Sequence, residues 1–298
     1  MSENNAAPHW IAVDWSEYGM QAWAMDQHGS VLMKVRSAQG LAQVAIDAFE
    51  AVLLKLVRPW LIRDQTPVVV GGLSGVQKLA SIPAYSPPFR PEEASPWLLE
   101  TEESRLMLHA VPGLEQSVGK GALLTHDSLI RGVVTEMPSY SGALCIPDER
   151  TQWVGVQQGE VSCLMPFMTA ELAELLAPKA DRGSLPVPGP AVHEATFRAA
   201  VSNAMDTPEL TPRHLLEARF DSDPAKSRLK GLLIGMELAS AQSYWRRGLV
   251  MVVNGSQWST LYALALSGHG VGIEFCDRDT MTLAGLKHAY RSLCETFA

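Results

Sequence analysis

Only four cysteines occur in 298 residues, Cys145, Cys163, Cys276 and Cys294, with no C-x-x-C pair and no histidine at metal-ligand spacing beside them. That excludes a disulfide scaffold and a cysteine-held zinc site, and leaves free thiols packed in a core as the expectation. Positive charge is also scarce. The 24 Lys and Arg against 32 Asp and Glu leave a net charge of −8, which repels a phosphate backbone, so nucleic acid is not an expected partner. No basic helix-turn-helix extension is present. Met1 to His9 has no basic region leading into an apolar stretch, so no secretory signal is read and a cytoplasmic location is expected. The uncharged stretch Gly248 to Ile273 is broken by Asn254, Ser256, Gln257, Ser259, His269 and several glycines. It reads as strand, loop, helix, loop, strand, and no membrane partner is expected. G-x-x-x-x-G-K-[ST], G-x-S-x-G and H-x-x-x-H are all missing, which sets aside P-loop enzymes, serine hydrolases and zinc hydrolases. Gly268-His269-Gly270-Val271-Gly272 precedes a strand instead of following one, unlike a dinucleotide-binding loop.

What remains is a globular composition, 47% hydrophobic and 19% charged, in a chain about twice the length of a common 150-residue domain. Trp10 to Asp14 is a short apolar run ending in an acid. Ser16-Glu17-Tyr18-Gly19 turns the chain, Met20 to Met25 is a second strand, Asp26 to Ser30 a hairpin turn and Val31 to Val35 a third strand. Leu41, Val44, Ala45, Ala48, Val52 and Leu56 recur at helical spacing and stop before Pro59; Pro67 to Val70 is a buried strand entering Gly71-Gly72-Leu73-Ser74-Gly75. The order is β-β-β-α-β. It begins again at Ala143 to Pro147, a strand ending at Asp148, with a turn through Glu149-Arg150-Thr151, strands over Gln152 to Val156 and Val161 to Met165, and a helix that starts over Thr169 to Leu176. Asp14 and Asp148 end equivalent first strands 148 − 14 = 134 residues apart, the mark of a duplicated domain. Residues 177–212, rich in Pro, Gly and charge, read as irregular loops around a short helix. Helices follow through Leu215 to Phe220 and Ser227 to Tyr244. Then come a strand Leu249 to Val253, the turn Asn254-Gly255-Ser256, a helix to Leu266, a strand Val271 to Phe275 and a last helix Leu283 to Phe297. The division expected is 1–138 completed by 283–297, and 139–282.

This pattern is the shape of the actin-like ATPase and sugar kinase superfamily: an α/β fold of duplicated ribonuclease-H-like domains around a central cleft. In that fold the tight turn between the first two strands of each half offers backbone N–H groups and hydroxyls to nucleotide phosphates. Asp14 stands where an acid faces Mg²⁺, although a strand-ending Asp also simply forms turns.

The motifs resemble one family, the 2-dehydro-3-deoxygalactonokinases, along nearly the whole chain. Ile11-Ala12-Val13-Asp14-Trp15 with Ala22-Trp23 is similar to its D-W-G-[ST]-T-N-x-R-A-W opening, Gly72-Leu73-Ser74-Gly75 with Pro83-Ala84-Tyr85 to G-M-V-G-S and A-P-Y, and Val111-Pro112-Gly113-Leu114 to I-P-G-L. Arg131-Gly132-Val133-Val134-Thr135-Glu136 resembles R-G-E-E-T-Q, Ile146-Pro147 to Trp153-Val154 resembles P-G-T-H-[SC]-K-W-V, Met168 to Leu172 resembles M-T-G-E-L, and Gly231 to Glu237 resembles G-L-L-I-G-A-E. The resemblance implies ATP-dependent phosphorylation of the C6 hydroxyl of 2-dehydro-3-deoxy-galactonate, with ATP and Mg²⁺ bound and a small sugar acid as the partner. It bears on no oligomeric state. Phosphoryl transfer needs a metal, donors around the γ-phosphate, and a group to orient the attacking hydroxyl. By resemblance Asp14 takes Mg²⁺. Arg131 and Arg150 hold anionic oxygens, and Glu136 or Glu171 orients the hydroxyl. Ser16, Thr151, Asn254 and Gly255 lie on the nucleotide side, and Trp15, Gly72, Gly75, Thr135 and Thr169 on the sugar-acid side. Simpler readings stand beside these: Arg150 as a surface partner of Glu149 or Asp148, Arg131 as a structural bridge, Glu171 and Glu237 as helix-end or interhelix groups, and Asn254-Gly255 as an ordinary strand-to-helix turn.

The sequence departs from the pattern where phosphate would sit. Ser16-Glu17-Tyr18 replaces Gly-Ser/Thr-Thr, Gln21 an Arg, Asp148-Glu149-Arg150 a Gly-Thr-His, Gln152 a Lys, and Val133-Val134 a carboxylate pair. One carboxylate about 4 Å from a phosphate charge costs about 4 kcal/mol at an effective dielectric of 20, roughly a thousandfold in affinity. A chain with Glu17 and Glu149 turned inward therefore supports a second expectation, a degenerate member that binds a sugar acid or a protein without turnover.

Overall fold

The computed structural model describes residues 7–45, 48–62, 65–73, 82–115, 123–124, 126–176, 192–218, 225–246 and 248–296. The chain divides into two compact units, one of Met1–Tyr140, Gln158–Ser162 and Arg278–Ala298, the other of Ser141–Gln157 and Cys163–Asp277.

In the first unit β1 (Trp10–Trp15), β2 (Met20–Met25) and β3 (Val31–Ser37) form an antiparallel meander, followed by α1 (Phe49–Val57) and β4 (Thr66–Gly71). Then come the short β5 (Ala84–Tyr85), β6 (Trp97–Leu99), β7 (Leu106–Ala110), β8 (Gly113–Glu115), β9 (Leu123–Leu124) and α2 (Asp127–Glu136). The main sheet has the order β3-β2-β1-β4-β7-β6, with β1 parallel to β4 and β4 parallel to β7. Successive β1 side chains serve opposite faces, as the strand period of two requires. Ile11 and Val13 join Val68, Val70 and α1 on one side, while Trp10 and Ala12 join Trp23 and Val69 on the other.

The second unit repeats the plan. Strands β10 (Ser141–Ile146), β11 (Thr151–Gln157) and β12 (Glu160–Phe167) precede α3 (Thr169–Leu176), α4 (Glu194–Asp206), α5 (Thr211–Ala218), α6 (Ala225–Ser240), α7 (Gln242–Trp245), β13 (Leu249–Asn254), α8 (Ser259–Ser267) and β14 (Ile273–Asp277). The sheet order β12-β11-β10-β13-β14 again puts the first strand inside, antiparallel to the second and parallel to the next one after the helices. This is the duplicated ribonuclease-H-like fold. Finally α9 (Arg278–Thr296) packs on the first unit's sheet through Leu286, Ala289 and Leu293.

Several boundaries differ from the sequence reading. Leu41–Gln43 is a single 3₁₀ turn, and α1 starts only at Phe49. The Leu41 and Ala42 amides are taken by the Ser16 and Glu17 carbonyls at 2.9 and 3.2 Å, so tertiary bonds replace the first helical turn. Within 177–212, where loops around a short helix are expected, residues 194–206 form a 13-residue helix. Its Phe197, Ala200, Val201 and Ala204 are buried, and His193 caps it by accepting from the Thr196 amide. The helix expected to run on to Tyr244 ends at Ser240, where the Trp245 indole donates to the Leu238 carbonyl. The last helix starts five residues before Leu283, because Asp279 in its first turn accepts from Lys34 and Arg36 of β3, both at 2.7 Å. Apolar spacing carries no trace of such a charged anchor. Of the thiols expected in the core, Cys145 and Cys276 are buried, Cys163 is half-buried and Cys294 is exposed, because it lies on the outer side of α9. Among the described residues no helix is long and apolar enough to cross a membrane; 248–273 resolves into β13, a turn, α8 and the start of β14.

Candidate functional site

In the first unit three chain segments meet at one end of the sheet. Asp14, half-buried near the end of β1, sits in register with Gly71 at the end of β4. At Gly72 the chain turns with φ +88, and a Cβ there would overlap the Trp15 carbonyl oxygen, so only glycine fits. The third segment is the N-terminus of α2. Asp127 is buried, and its Oδ1 accepts from the Gly72 amide at 3.0 Å, the Ser128 amide at 2.6 Å and the Ser128 hydroxyl at 3.2 Å. Burial pushes this carboxyl up to about 7; the Ser128 and Gly72 amides hold it down in part, and the charge of Asp14 pushes it further up. A helix N-terminus suits the ionised form, so Asp127 can gain and lose a proton near neutrality.

One turn along α2, Arg131 is buried beside this carboxyl. Its Nη2 donates to the Ala94 carbonyl at 2.6 Å, and its Nη1 donates to His288 Nδ1 of α9 at 3.2 Å. Burial lowers the guanidinium to about 10 against the opposing charge of Asp127 and the influence of Tyr85. Burial, then the positive charges of Arg131 and Arg291, lowers His288, which favours the neutral ring that accepts this bond.

The other expected residues of this unit are placed as follows. The Trp15 ring is in the core, stacked on Phe49 at 4.8 Å with its N–H donating to the Gln39 carbonyl. The Ser16 hydroxyl accepts from the Tyr18 and Gly19 amides at 3.3 and 3.2 Å and donates to the Gly19 carbonyl, so it is turned onto its own hairpin. Thr135 donates back to the Arg131 carbonyl at 2.8 Å. Glu136 is exposed at the last position of α2; nine residues of helix put it about 13 Å along the axis from Asp127. Gly75 lies outside the described residues.

In the second unit the hairpin 148–150 joins β10 to β11. The Glu149 amide donates to its neighbour Asp148 at 3.1 Å, and the Glu149 carbonyl accepts the Glu171 amide of α3 at 3.1 Å. Arg150 Nε lies 3.5 Å from the Glu171 carboxylate, an exposed pair of the kind that contributes little. Below the hairpin is a buried polar cluster. Glu237 of α6 accepts from Trp153 Nε1 at 2.7 Å, from the Tyr262 hydroxyl at 2.6 Å and from the Thr169 hydroxyl; Tyr262 is also 2.8 Å from the Thr151 hydroxyl. Thr151 and Thr169 are thus buried and committed within the unit. Asn254 and Gly255 are exposed at the end of β13, where Ser259 fastens the turn by donating to the Val253 carbonyl at 2.7 Å.

Burial raises Glu237 to about 7 against its three hydrogen bonds. Between pH 4.5 and about 7 the folded chain keeps a proton that the unfolded chain has released, so this group's contribution to stability is lost as pH rises. Glu237→Gln cannot ionise. Denaturant unfolding at pH 5 and pH 8 is expected to show the variant gaining on the wild type at the higher pH, by up to about 3 kcal/mol.

Asp127 and His288 were not singled out by sequence reasoning, and Tyr85 entered only as part of a motif. For Asp127 a signal exists: an acid at the start of an apolar-periodic run, four residues before an arginine. Nothing in one-dimensional spacing links it to Gly72 or Asp14.

Two ribonuclease-H-like units of the same strand plan are the fold of the actin-like ATPase and sugar kinase class. The family model described as 2-keto-3-deoxy-galactonokinase matches residues 14–289, and the chain belongs to that family. It is 26% identical to a probable 2-dehydro-3-deoxygalactonokinase of Rhizobium meliloti (strain 1021), over 96% of this chain and 98% of that protein. It is 24% identical to the 2-dehydro-3-deoxygalactonokinase of Escherichia coli (strain K12), over 93% and 96%. A solved Sinorhizobium meliloti structure, assigned to a 2-dehydro-3-deoxygalactonokinase, superposes with a TM-score of 0.82 at 24% identity, covering 95% of this chain and 99% of that one.

Proposed function

We propose that the chain transfers the γ-phosphoryl group of ATP to the C6 hydroxyl of 2-dehydro-3-deoxy-galactonate. The observation that carries the reading is Asp127, a buried carboxyl titrating near neutrality, aimed by the Gly72 and Ser128 amides and flanked by Asp14 and Arg131. Asp127 receives the hydroxyl proton as the new O–P bond forms and the bond to ADP breaks. Arg131 positions this carboxyl, four residues along the same helix. The charge of Asp14 against Asp127 is an excess of negative charge that suits a divalent cation, and Asp14 would hold the Mg²⁺ of the nucleotide, which neutralises phosphate charge when bound. Arg150, Asn254 and Gly255 are exposed in the second unit, on the side the resemblance gives to the nucleotide. The net charge of −8 disfavours nucleic acid as a partner, and the small sugar acid rests on the family and not on the charge.

A second reading, binding without turnover, is favoured by one observation. The Tyr18 and Gly19 amides are spent on Ser16, and the Glu149 amide on Asp148, so both phosphate turns satisfy donors internally. The two separate on incubating the purified chain with MgATP and 2-dehydro-3-deoxy-galactonate. ADP released stoichiometrically and only with the acid present is the expected result. Calorimetric binding of the acid, with no ADP and no MgATP binding at millimolar concentration, establishes the second.

A further inference from the structure

We propose that Glu237 is a positioning residue: it clamps the hairpin 148–150 from beneath through two hydrogen-bonded arms and so sets the shape that hairpin offers to a phosphate. One arm runs from its carboxylate to the hydroxyl of Thr169, the first residue of α3; two residues on, the Glu171 amide donates to the Glu149 carbonyl in the hairpin. The other runs to the Tyr262 hydroxyl and on to the hydroxyl of Thr151, the residue that closes the hairpin and opens β11. Trp153 Nε1 holds the remaining oxygen, which fixes the carboxylate plane. The cluster draws on four elements, β11, α3, α6 and α8, and Glu237, Thr169, Thr151 and Tyr262 are all buried. A carboxyl in such a place is costly to bury, and an apolar side chain would fill the volume without the arms. A forked, planar polar end can join three partners from three directions, one of its atoms facing Trp153 and the other facing Thr169 and Tyr262.

The part of the clamp's role that concerns phosphate rests on the kinase reading above; the clamp itself does not. Three variants test both. Glu237→Ala cuts both arms, Tyr262→Phe cuts one, and Glu237→Gln restores the set: its amide N–H groups donate to the Thr169 and Tyr262 oxygens and its carbonyl accepts from Trp153. Backbone amide exchange over residues 148–151 is expected to quicken about tenfold or more in Glu237→Ala and Tyr262→Phe and to return close to the wild-type rate in Glu237→Gln. In turnover, KM for ATP is expected to rise about tenfold in Tyr262→Phe with KM for the sugar acid changed less than twofold. Exchange over 148–151 that stays at the wild-type rate in Glu237→Ala and Tyr262→Phe overturns the proposal, as does a loss of active fraction with both KM values unmoved. Quickened exchange in a chain that never turns over ATP leaves the clamp standing and removes only the kinase reading.

Discussion

Asp127→Asn is expected to lower kcat for phosphoryl transfer by about a hundredfold to ten-thousandfold, the range that a positioned general base supplies. The substitution is nearly isosteric, and its carbonyl oxygen can still accept from the Gly72 and Ser128 amides, which donate to Asp127 at 3.0 and 2.6 Å. Structure at the site is therefore retained, and KM for the sugar acid is expected to change little. The wild-type rate carries a second signature. With the carboxyl raised to about 7, mainly by burial, the ionised form that accepts a proton becomes populated only as pH rises through neutrality. The wild-type kcat/KM is expected to climb about tenfold per pH unit below 7 and to level off above it, while the residual activity of Asp127→Asn is flat over the same range. A steady-state pH profile of both proteins from pH 5 to 9 checks this. A variant retaining more than a tenth of the wild-type rate, or a profile unchanged by the substitution, removes Asp127 from the chemistry.

Gly285→Ala is expected to destabilise the first unit strongly. Helices α2 and α9 cross at Gly132 and Gly285. A Cβ on Gly285 would overlap the Ser128 carbonyl oxygen and lie 2.8 Å from both the Ser128 carbonyl carbon and Gly132 N; one on Gly132 would overlap the Met281 carbonyl oxygen. All of these neighbours are backbone, so no side chain can swing aside and the helices must separate. Overpacking of this kind costs about 3 kcal/mol, which for a chain of this size lowers Tm by roughly 5 °C in calorimetry. Because Ser128 adjoins Asp127, kcat is expected to fall in the fraction that stays folded. Gly29→Ala is the contrast. That glycine has φ +79 and nothing within 4 Å of its added Cβ, so only backbone strain of about 1 kcal/mol is expected, with kcat unchanged.

Both units were legible in the sequence wherever strand alternation and turn chemistry act within a few residues. The strand Met20–Met25 has the bounds, and the helix beginning at Thr169 the start, that their apolar pattern predicts, and the 134-residue repeat of a meander whose first strand ends in an acid led to the duplicated fold. Helix starts were less legible where long-range bonds decide them: the amides of Leu41 and Ala42 go to the turn after β1, and α9 begins at an aspartate held by β3. Within 177–212 only a short helix among loops was expected, because the small alanines of 194–206 carry little periodic signal, yet they fit closely against α6.

By itself the sequence determined the class of fold, the family motifs and the two acidic turns, because these depend on residue type and on spacing along the chain. Tertiary structure alone decided which groups act as a unit: that Asp127 lies under Gly72 with Asp14 near enough to lift its pKa, that Arg131 reaches Ala94 and His288, and that Glu237 ties α3 to β11 through Tyr262. The physical reason is that burial and the mutual approach of charges are properties of folded space. A carboxyl titrates near neutrality only once the fold has removed its water, as at Glu237, and a second charge adds to the shift where the fold brings one beside it, as Asp14 does at Asp127.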